Sequence, residues 1–490
     1  MNAPELRWPA SSIPARHYID NRFVDAADGA TLPMTDPSDG TVFAAIARGS
    51  AADIAAAVEA AQRARGGAWG RFSPVQRGRA LAAIASAISG HADELALIEA
   101  RDCGKPLTQA RADVAGCARY FEFYAGACDK LHGATIPYVE GYAVLTWREA
   151  HGVTGHIIPW NYPLQIFGRS VAAALAAGNA CVVKPAEDAC LSLLRVAELA
   201  AAAGLPEGAL NIVTGLGAEA GAALVEHPGV AHLSFTGSPA TGAAVAAACA
   251  RRHCPVTLEL GGKSPQIVFA DADLDLALPA IVSAIVQNAG QTCSAGSRLL
   301  VERSAYEPVL AALGARFSRL VAGPALADRD CGPLIRASQK VRVEGFLEAA
   351  RRAGIATVAS GKVDGGAPAG GYYVVPTLLR DVPFYDRIAC DEVFGPVLAA
   401  MPFDDEADAL RLANATDYGL VAGVWTRDGG RGLRMARGVC SGQVFVNCYG
   451  AGGGVELPFG GVKHSGHGRE KGFEALYGLT TLKTVVLRHG

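Results

Sequence analysis

Residues 51–62 and 76–100 carry alanine-rich helical periodicity, and Pro74 falls in the break between them. Apolar positions recurring at three- and four-residue steps give each segment one face to bury. From Gly152 the texture changes, and short apolar runs alternate with helical segments. The pattern predicts strands over 153–158, 179–184, 210–214 and 232–236, and helices over 164–177, 191–203, 219–226 and 240–250. Such alternation specifies a parallel, doubly wound α/β sheet with helices on both faces. Sheets of this kind bind ligands beyond the carboxyl ends of their strands. A second alternating region, 262–461, predicts a further α/β domain. Two segments stand apart as extended chain, 127–147 and the tail 478–490; on residues alone they are an edge hairpin or an arm.

Composition narrows the picture. A chain of 490 residues, 50% hydrophobic and 19% charged, has material for large cores in about two to three domains. The net charge of −3 is spread without a basic stripe, which argues against nucleic acid as a partner. Met1 to Arg7 lacks the basic-then-apolar pattern of a signal peptide, and the apolar runs 171–177 and 243–250 are far too short to span a membrane. A cytoplasmic location is expected, without membrane contact. The 12 cysteines form no CxxC pair and no zinc-ligand spacing, so most are expected to be free thiols packed as small apolar residues. His464 and His467 lie in a glycine-rich turn without a third ligand, and no metal is expected.

One cysteine differs in setting. Gly290-Gln291-Thr292-Cys293 joins a helix-like apolar run to a strand-like one, and Thr292 and Ser294 add little bulk around the sulfur. A thiolate left accessible at such a junction is a candidate nucleophile. Upstream stand Ile158-Pro159-Trp160-Asn161-Tyr162-Pro163, Val183-Lys184-Pro185-Ala186-Glu187, Phe235-Thr236-Gly237-Ser238 and Leu258-Glu259-Leu260-Gly261-Gly262-Lys263. Downstream stand Asp391-Glu392-Val393-Phe394-Gly395-Pro396 and Leu457-Pro458-Phe459-Gly460-Gly461. In this order and spacing the chain closely resembles the non-acylating branch of the aldehyde dehydrogenase superfamily, from about residue 36 to about residue 485.

The resemblance implies a Rossmann-like cofactor domain (1–126 and 148–261), an α/β catalytic domain (262–461) and a small β oligomerisation arm (127–147 and 478–490) that makes a homodimer or homotetramer. A dinucleotide needs amides at a helix N-terminus for its phosphates and an acid for a ribose diol. Gly215-Leu216-Gly217-Ala218-Glu219-Ala220-Gly221 is spaced GxGxxxG, a weak generic signal that matches the family's variant at Gly217 and Gly221. The small residues Gly237 and Ser238 would bring amides and a hydroxyl to the pyrophosphate. Lys184 and Glu187 match the pair that holds the adenosine ribose. A carboxylate there repels a 2′-phosphate, so NAD is expected over NADP. Glu392 and Phe394 match the nicotinamide side, and Ile158, Trp160, Phe235 and Leu260 complete the implied cofactor site.

For catalysis the resemblance implies Cys293 as nucleophile, Asn161 as oxyanion donor beside the Cys293 N–H, and Glu259 as the base for water. Thiolate addition gives a thiohemiacetal that can release a hydride to NAD, and water then frees the acid from the thioester. Retention of Glu259 disfavours a coenzyme A-acylating enzyme, and the absence of a visible His-based activation disfavours a cysteine hydrolase. Candidate substrate-pocket residues are Tyr162, Arg169, Thr292, Ser294, Glu456 and Phe459, with Phe167 as a further wall. Arg169 suits the carboxylate of a semialdehyde, or else pairs with a nearby acid. Glu456 suits a cationic aminoaldehyde, and the glycines of 450–454 suggest a wide entrance.

Overall fold

A computed structural model of the chain describes residues 14–450 and 454–490. The Met1 to Arg7 stretch and the centre of the 450–454 glycine run lie outside the described residues. Pro74 opens a helix: Ser73 Oγ accepts from the Gln76 N–H and Gln76 Oε1 accepts from the Ser73 N–H at 2.8 Å, a reciprocal cap with proline in the first turn. The single segment expected over 76–100 is two helices, Pro74–Gly90 and Ala92–Cys103, bent by 75° where Gly90 meets His91. Among the described residues no single helix is long and apolar enough to cross a membrane.

The first large sheet has eight strands, ordered Arg22–Val24, His17–Ile19, Leu210–Ile212, Ala180–Pro185, Val153–Ile158, His232–Thr236, Val256–Glu259 and Gly466–His467. Its central five run parallel, as the alternation requires. Both edges are antiparallel, so the sheet is mixed and not purely parallel. These edge strands are two or three residues long, too short to leave a period-2 pattern. Strand order reverses between Val153–Ile158 and His232–Thr236, which opens a crevice at their carboxyl ends. The helix Pro163–Ala176 is buried at every position except Gln165, sealed between the sheet and the helix Leu107–Ala127.

The second sheet has seven strands, Ala356–Ser360, Thr377–Arg380, Val397–Phe403, Arg298–Glu302, Pro265–Val268, Val421–Trp425 and Gln443–Val446. All pair in parallel except the Ala356–Ser360 edge. A separate three-stranded sheet pairs Thr480–Arg488 along the whole of Tyr142–Ala150, with Ala134–Ile136 on the other side. Its inner strand runs past Trp147 to Ala150, and the segment Gly466–His467 returns from beyond residue 461 to the first sheet.

Candidate active site

The helix Leu274–Val286 is capped by Asp273, whose carboxylate accepts from the Asp275 N–H at 3.1 Å. It runs into a turn where Asn288 (φ 47°), Ala289 (φ 53°) and Gly290 (φ 74°) are all left-handed. A Cβ on Gly290 would lie 2.2 Å from the Gly395 carbonyl oxygen, so only glycine permits this approach. Beyond the turn, Gln291 to Ser294 is fixed from every side. Asn161 Nδ2 donates to the Gln291 carbonyl at 2.9 Å, and Asn288 Nδ2 to the Asn161 carbonyl at 2.8 Å. The Ile335 N–H donates to Gln291 Oε1 at 2.9 Å. Tyr162 Oη and Thr292 Oγ1 share a hydrogen bond of 2.8 Å, and Tyr449 Oη donates to the Ser294 carbonyl at 2.6 Å.

This loop forms the floor of a cavity of about 760 Å³. Cys293 is half-buried on its wall with Tyr162, Thr292, Ser294, Arg169 and Phe459. Phe167, expected there, instead lies fully buried in the core, its ring centroid 6.2 Å from that of Phe121. Burial pushes the Cys293 thiol up to about 11, and the Arg169 charge opposes that rise. Glu259 ends the strand Val256–Glu259, in register with Thr236 on one side and Gly466 on the other. It is 2% exposed, and neither carboxylate oxygen has a hydrogen-bond partner within the protein. Burial holds its carboxyl well above the usual carboxylate range, and its charge is felt by Cys293.

Two of the substrate-pocket candidates are ion-paired with other residues of the chain. Arg169 reaches the cavity, but its guanidinium is already ion-paired with buried Glu470 and donates to Thr236 Oγ1 at 3.4 Å. Of the two alternatives the sequence leaves open for Arg169, this is the pairing with a nearby acid. Glu456 sits exposed at the rim and is ion-paired with Arg119 at 2.5 Å.

The crevice side collects the other residues. Lys184 Nζ lies 3.3 Å from Glu187 Oε2 just beyond the strand Ala180–Pro185. Burial holds the Lys184 ammonium below its usual range, and Glu187 opposes that only in part. Gly237 follows the strand His232–Thr236, and a Cβ there would lie 2.6 Å from the Phe235 ring. Ser238 caps the helix Pro239–Arg251, its hydroxyl accepting from the Thr241 N–H at 3.2 Å. The helix expected over 219–226 begins as a π-helical turn, Gly217–Gly221, with Gly217 exposed and Gly221 buried. Glu392 accepts from the Gly262 N–H at 3.0 Å, and a Cβ on Gly261 would lie 2.3 Å from its carboxylate. Its carboxyl is pushed up to about 7 by burial. Phe394, held at φ 58°, meets the Trp160 ring edge-on at 5.4 Å. Ile158 ends its strand, Leu260 directly follows the strand Val256–Glu259, and both are buried. Glu187, just beyond the strand Ala180–Pro185, and Glu392, bonded to the Gly262 N–H, are the two carboxylates that the sequence resemblance sets against the ribose diols of a dinucleotide.

Sequence reasoning missed Glu470, Lys471 and Tyr449. Glu470 and Lys471 lie in a charged triplet, Arg469 to Lys471, in a glycine-rich stretch with no periodicity, and only the fold brings them beside Arg169 and Cys293. Tyr449 borders the glycine run and carried no motif.

Taken together, the two large α/β sheets flank a cavity with a half-buried thiol on its wall, within electrostatic reach of a fully buried carboxyl. The aldehyde dehydrogenase family matches residues 23–485. A benzaldehyde dehydrogenase from Antirrhinum majus is 43% identical over 485 residues, covering 98% of this chain and 90% of that protein. A crystal structure from Burkholderia cenocepacia, described as a candidate aldehyde dehydrogenase, superimposes with a TM-score of 0.96 at 66% identity, covering 97% and 100% of the two chains. The NAD+ complex of an aldehyde dehydrogenase from Bacillus cereus does so with a TM-score of 0.93 at 38% identity, covering 97% and 96%. The chain belongs to the aldehyde dehydrogenase family: it is an NAD-dependent oxidoreductase of aldehydes.

Proposed function

We propose that Cys293 is the nucleophile of this oxidation, Glu259 the base that delivers water, and Asn161 a donor to the oxyanion. The observation that carries this reading is the pairing of a half-buried thiol with a fully buried carboxyl lacking any internal partner, within electrostatic reach of each other. Addition of the Cys293 sulfur to an aldehyde turns the planar carbonyl into a tetrahedral oxyanion that can expel hydride. Asn161 spends one N–H on Gln291 and keeps a second for that oxyanion. One such donor is worth roughly 3–4 kcal/mol of transition-state stabilisation. Bound in the crevice by Lys184, Glu187 and Glu392, with Gly237 and Phe394 shaping its cradle, NAD supplies the hydride acceptor. The thioester left on Cys293 must then meet water, and burial gives Glu259 the proton affinity to activate it.

Glu187 favours NAD over NADP by at least about tenfold, because about 1.4 kcal/mol of anionic repulsion suffices. The arm and its exposed Trp147, Leu482 and Val486 support assembly into a homodimer or homotetramer. Free thiols throughout, Cys181 and Cys190 among the buried ones, favour the cytoplasm. Replacing Cys293 by Ala tests the core assignment. Aldehyde-dependent reduction of NAD should vanish while NAD affinity stays near wild type, and retention of more than a small residual rate would sink it.

A further inference from the structure

We propose that Lys105 is a positioning residue for aldehyde oxidation, holding Asn161 and the Cys293 loop in reacting geometry from behind the cavity. The proposal rests on the roles given above to those two residues. Lys105 lies between the helices Ala92–Cys103 and Leu107–Ala127 and is 1% exposed. Its ammonium lies 3.1 Å from Glu99 Oε1, is ion-paired with Asp113, and sits 4.5 Å from the centroid of the Tyr162 ring. Burial works against this charge, but Asp113 and then Glu99 outweigh it and hold the ammonium well above its usual range. A lysine so held keeps its proton, so its part is to position and not to act as acid or base.

Two of its partners lead to the first turn of the helix Pro163–Ala176. Tyr162 gives that helix no side-chain cap, and Pro163 has no N–H to satisfy. Glu99 caps it from a distance: its Oε2 accepts from the Leu164 N–H at 3.3 Å and from Ser192 Oγ at 3.0 Å. A carboxylate in that place is favoured by the backbone dipole. Asp113 Oδ1 accepts from Gln165 Nε2 at 2.6 Å. The residues just before this turn are the ones that reach the nucleophile. Asn161 Nδ2 donates to the Gln291 carbonyl, and Tyr162 Oη is bonded to Thr292 Oγ1, next to Cys293. One turn before Asp113, Gln109 Oε1 accepts from the Asn288 N–H at 2.7 Å, which ties the same helix to the left-handed turn ahead of the cysteine.

Stability alone does not explain the cluster. Three ionisable side chains taken out of water gain little over apolar packing of the same volume, because desolvation offsets their attraction. What the cluster supplies is direction. A shift of about 1 Å at a reacting group can cost about a hundredfold in rate, even when its cause lies far from the chemistry.

Lys105→Met keeps a stem under the Tyr162 ring and removes the charge, but alone it strands the buried Asp113. Lys105→Met/Asp113→Asn removes that imbalance, since burial already raises the Glu99 carboxyl and lets it take a proton. Both are assayed with benzaldehyde and propanal as probes, well below each variant's melting temperature. In the folded variants kcat and kcat/KM should fall together by about tenfold or more while NAD affinity stays within about threefold, the pattern of an interaction made only in the transition state. A lysine that served the core alone would lower the melting temperature and leave kcat of the folded enzyme unchanged. Tyr162→Phe, made with and without Lys105, closes a cycle. Its loss in kcat should be several-fold in the wild type and less than about twofold once Lys105 is gone. Wild-type kcat in a folded Lys105 variant, additive losses in the cycle, or failure of both variants to fold would each overturn the proposal. Cys293→Ala is run beside them. If it kept its rate, the reading beneath this one would fall; if it were inactive beside an unaffected Lys105 variant, this proposal alone would fall.

Discussion

Burial raises the proton affinity of Glu259 and of Cys293 alike, with different chemical results. For the carboxyl it makes a stronger base than any exposed glutamate; for the thiol it keeps the resting enzyme protonated until a base or charge draws the proton away. This division predicts the behaviour of Glu259→Gln. The first hydride transfer should survive, because it needs the sulfur, and turnover should then stall at the thioester, because an amide cannot take a proton from water. Stopped-flow absorbance should show a burst of about one reduced nicotinamide per site followed by a rate at least roughly a hundredfold slower than wild type. Loss of the burst itself would assign Glu259 to the first step. Cys293, Glu259 and Asn161 entered as candidates through motifs that resemble the family's, and the structure sets the thiol within electrostatic reach of the carboxyl. Glu470 was not legible in the sequence, since its meaning is an ion pair with Arg169, a residue some three hundred positions earlier in the chain.

The element that presents the cysteine is less forgiving than its sequence suggests. A helix followed by a strand was readable from the apolar pattern, but the left-handed turn between them was not, because neither Asn288 nor Ala289 announces a positive φ as glycine does. The antiparallel edges of the first sheet escaped for a related reason, as two- and three-residue strands carry no alternation to detect. Gly290→Ala tests the turn. The new Cβ would meet the Gly395 carbonyl on backbone already unfavourable for alanine, an overlap worth about 1–3 kcal/mol. The melting temperature should fall by at least about 2 °C, and dehydrogenase activity should drop about tenfold as Cys293 shifts away from Asn161. Calorimetry and a steady-state assay would show it; wild-type values in both would mean that the turn relaxes without moving the thiol.

At the scale of the molecule, the strand Thr480–Arg488 depends on Tyr142–Ala150 for its pairing and leaves Leu482, Val486 and Leu487 facing outward. A chain ending before Thr480 should therefore sediment as a smaller species than the full-length protein, and an unchanged mass would remove the arm from assembly. The path of the chain just before that strand has a consequence for how the enzyme is made. Gly466–His467 closes the edge beside Glu259, and Glu470 neutralises Arg169, whose guanidinium is otherwise a buried charge costing about 3–5 kcal/mol. These residues follow Cys293 in the chain and leave the ribosome after it. Cys293 is thus translated well before the groups that complete its surroundings, and a message cut short upstream of residue 466 yields a protein that has its sulfur but an open sheet edge and an unbalanced arginine. Such a product should lose both dehydrogenase activity and thermal stability, so premature termination would not release a half-built catalyst; an assay and a melt of a chain ending before residue 466 would check it.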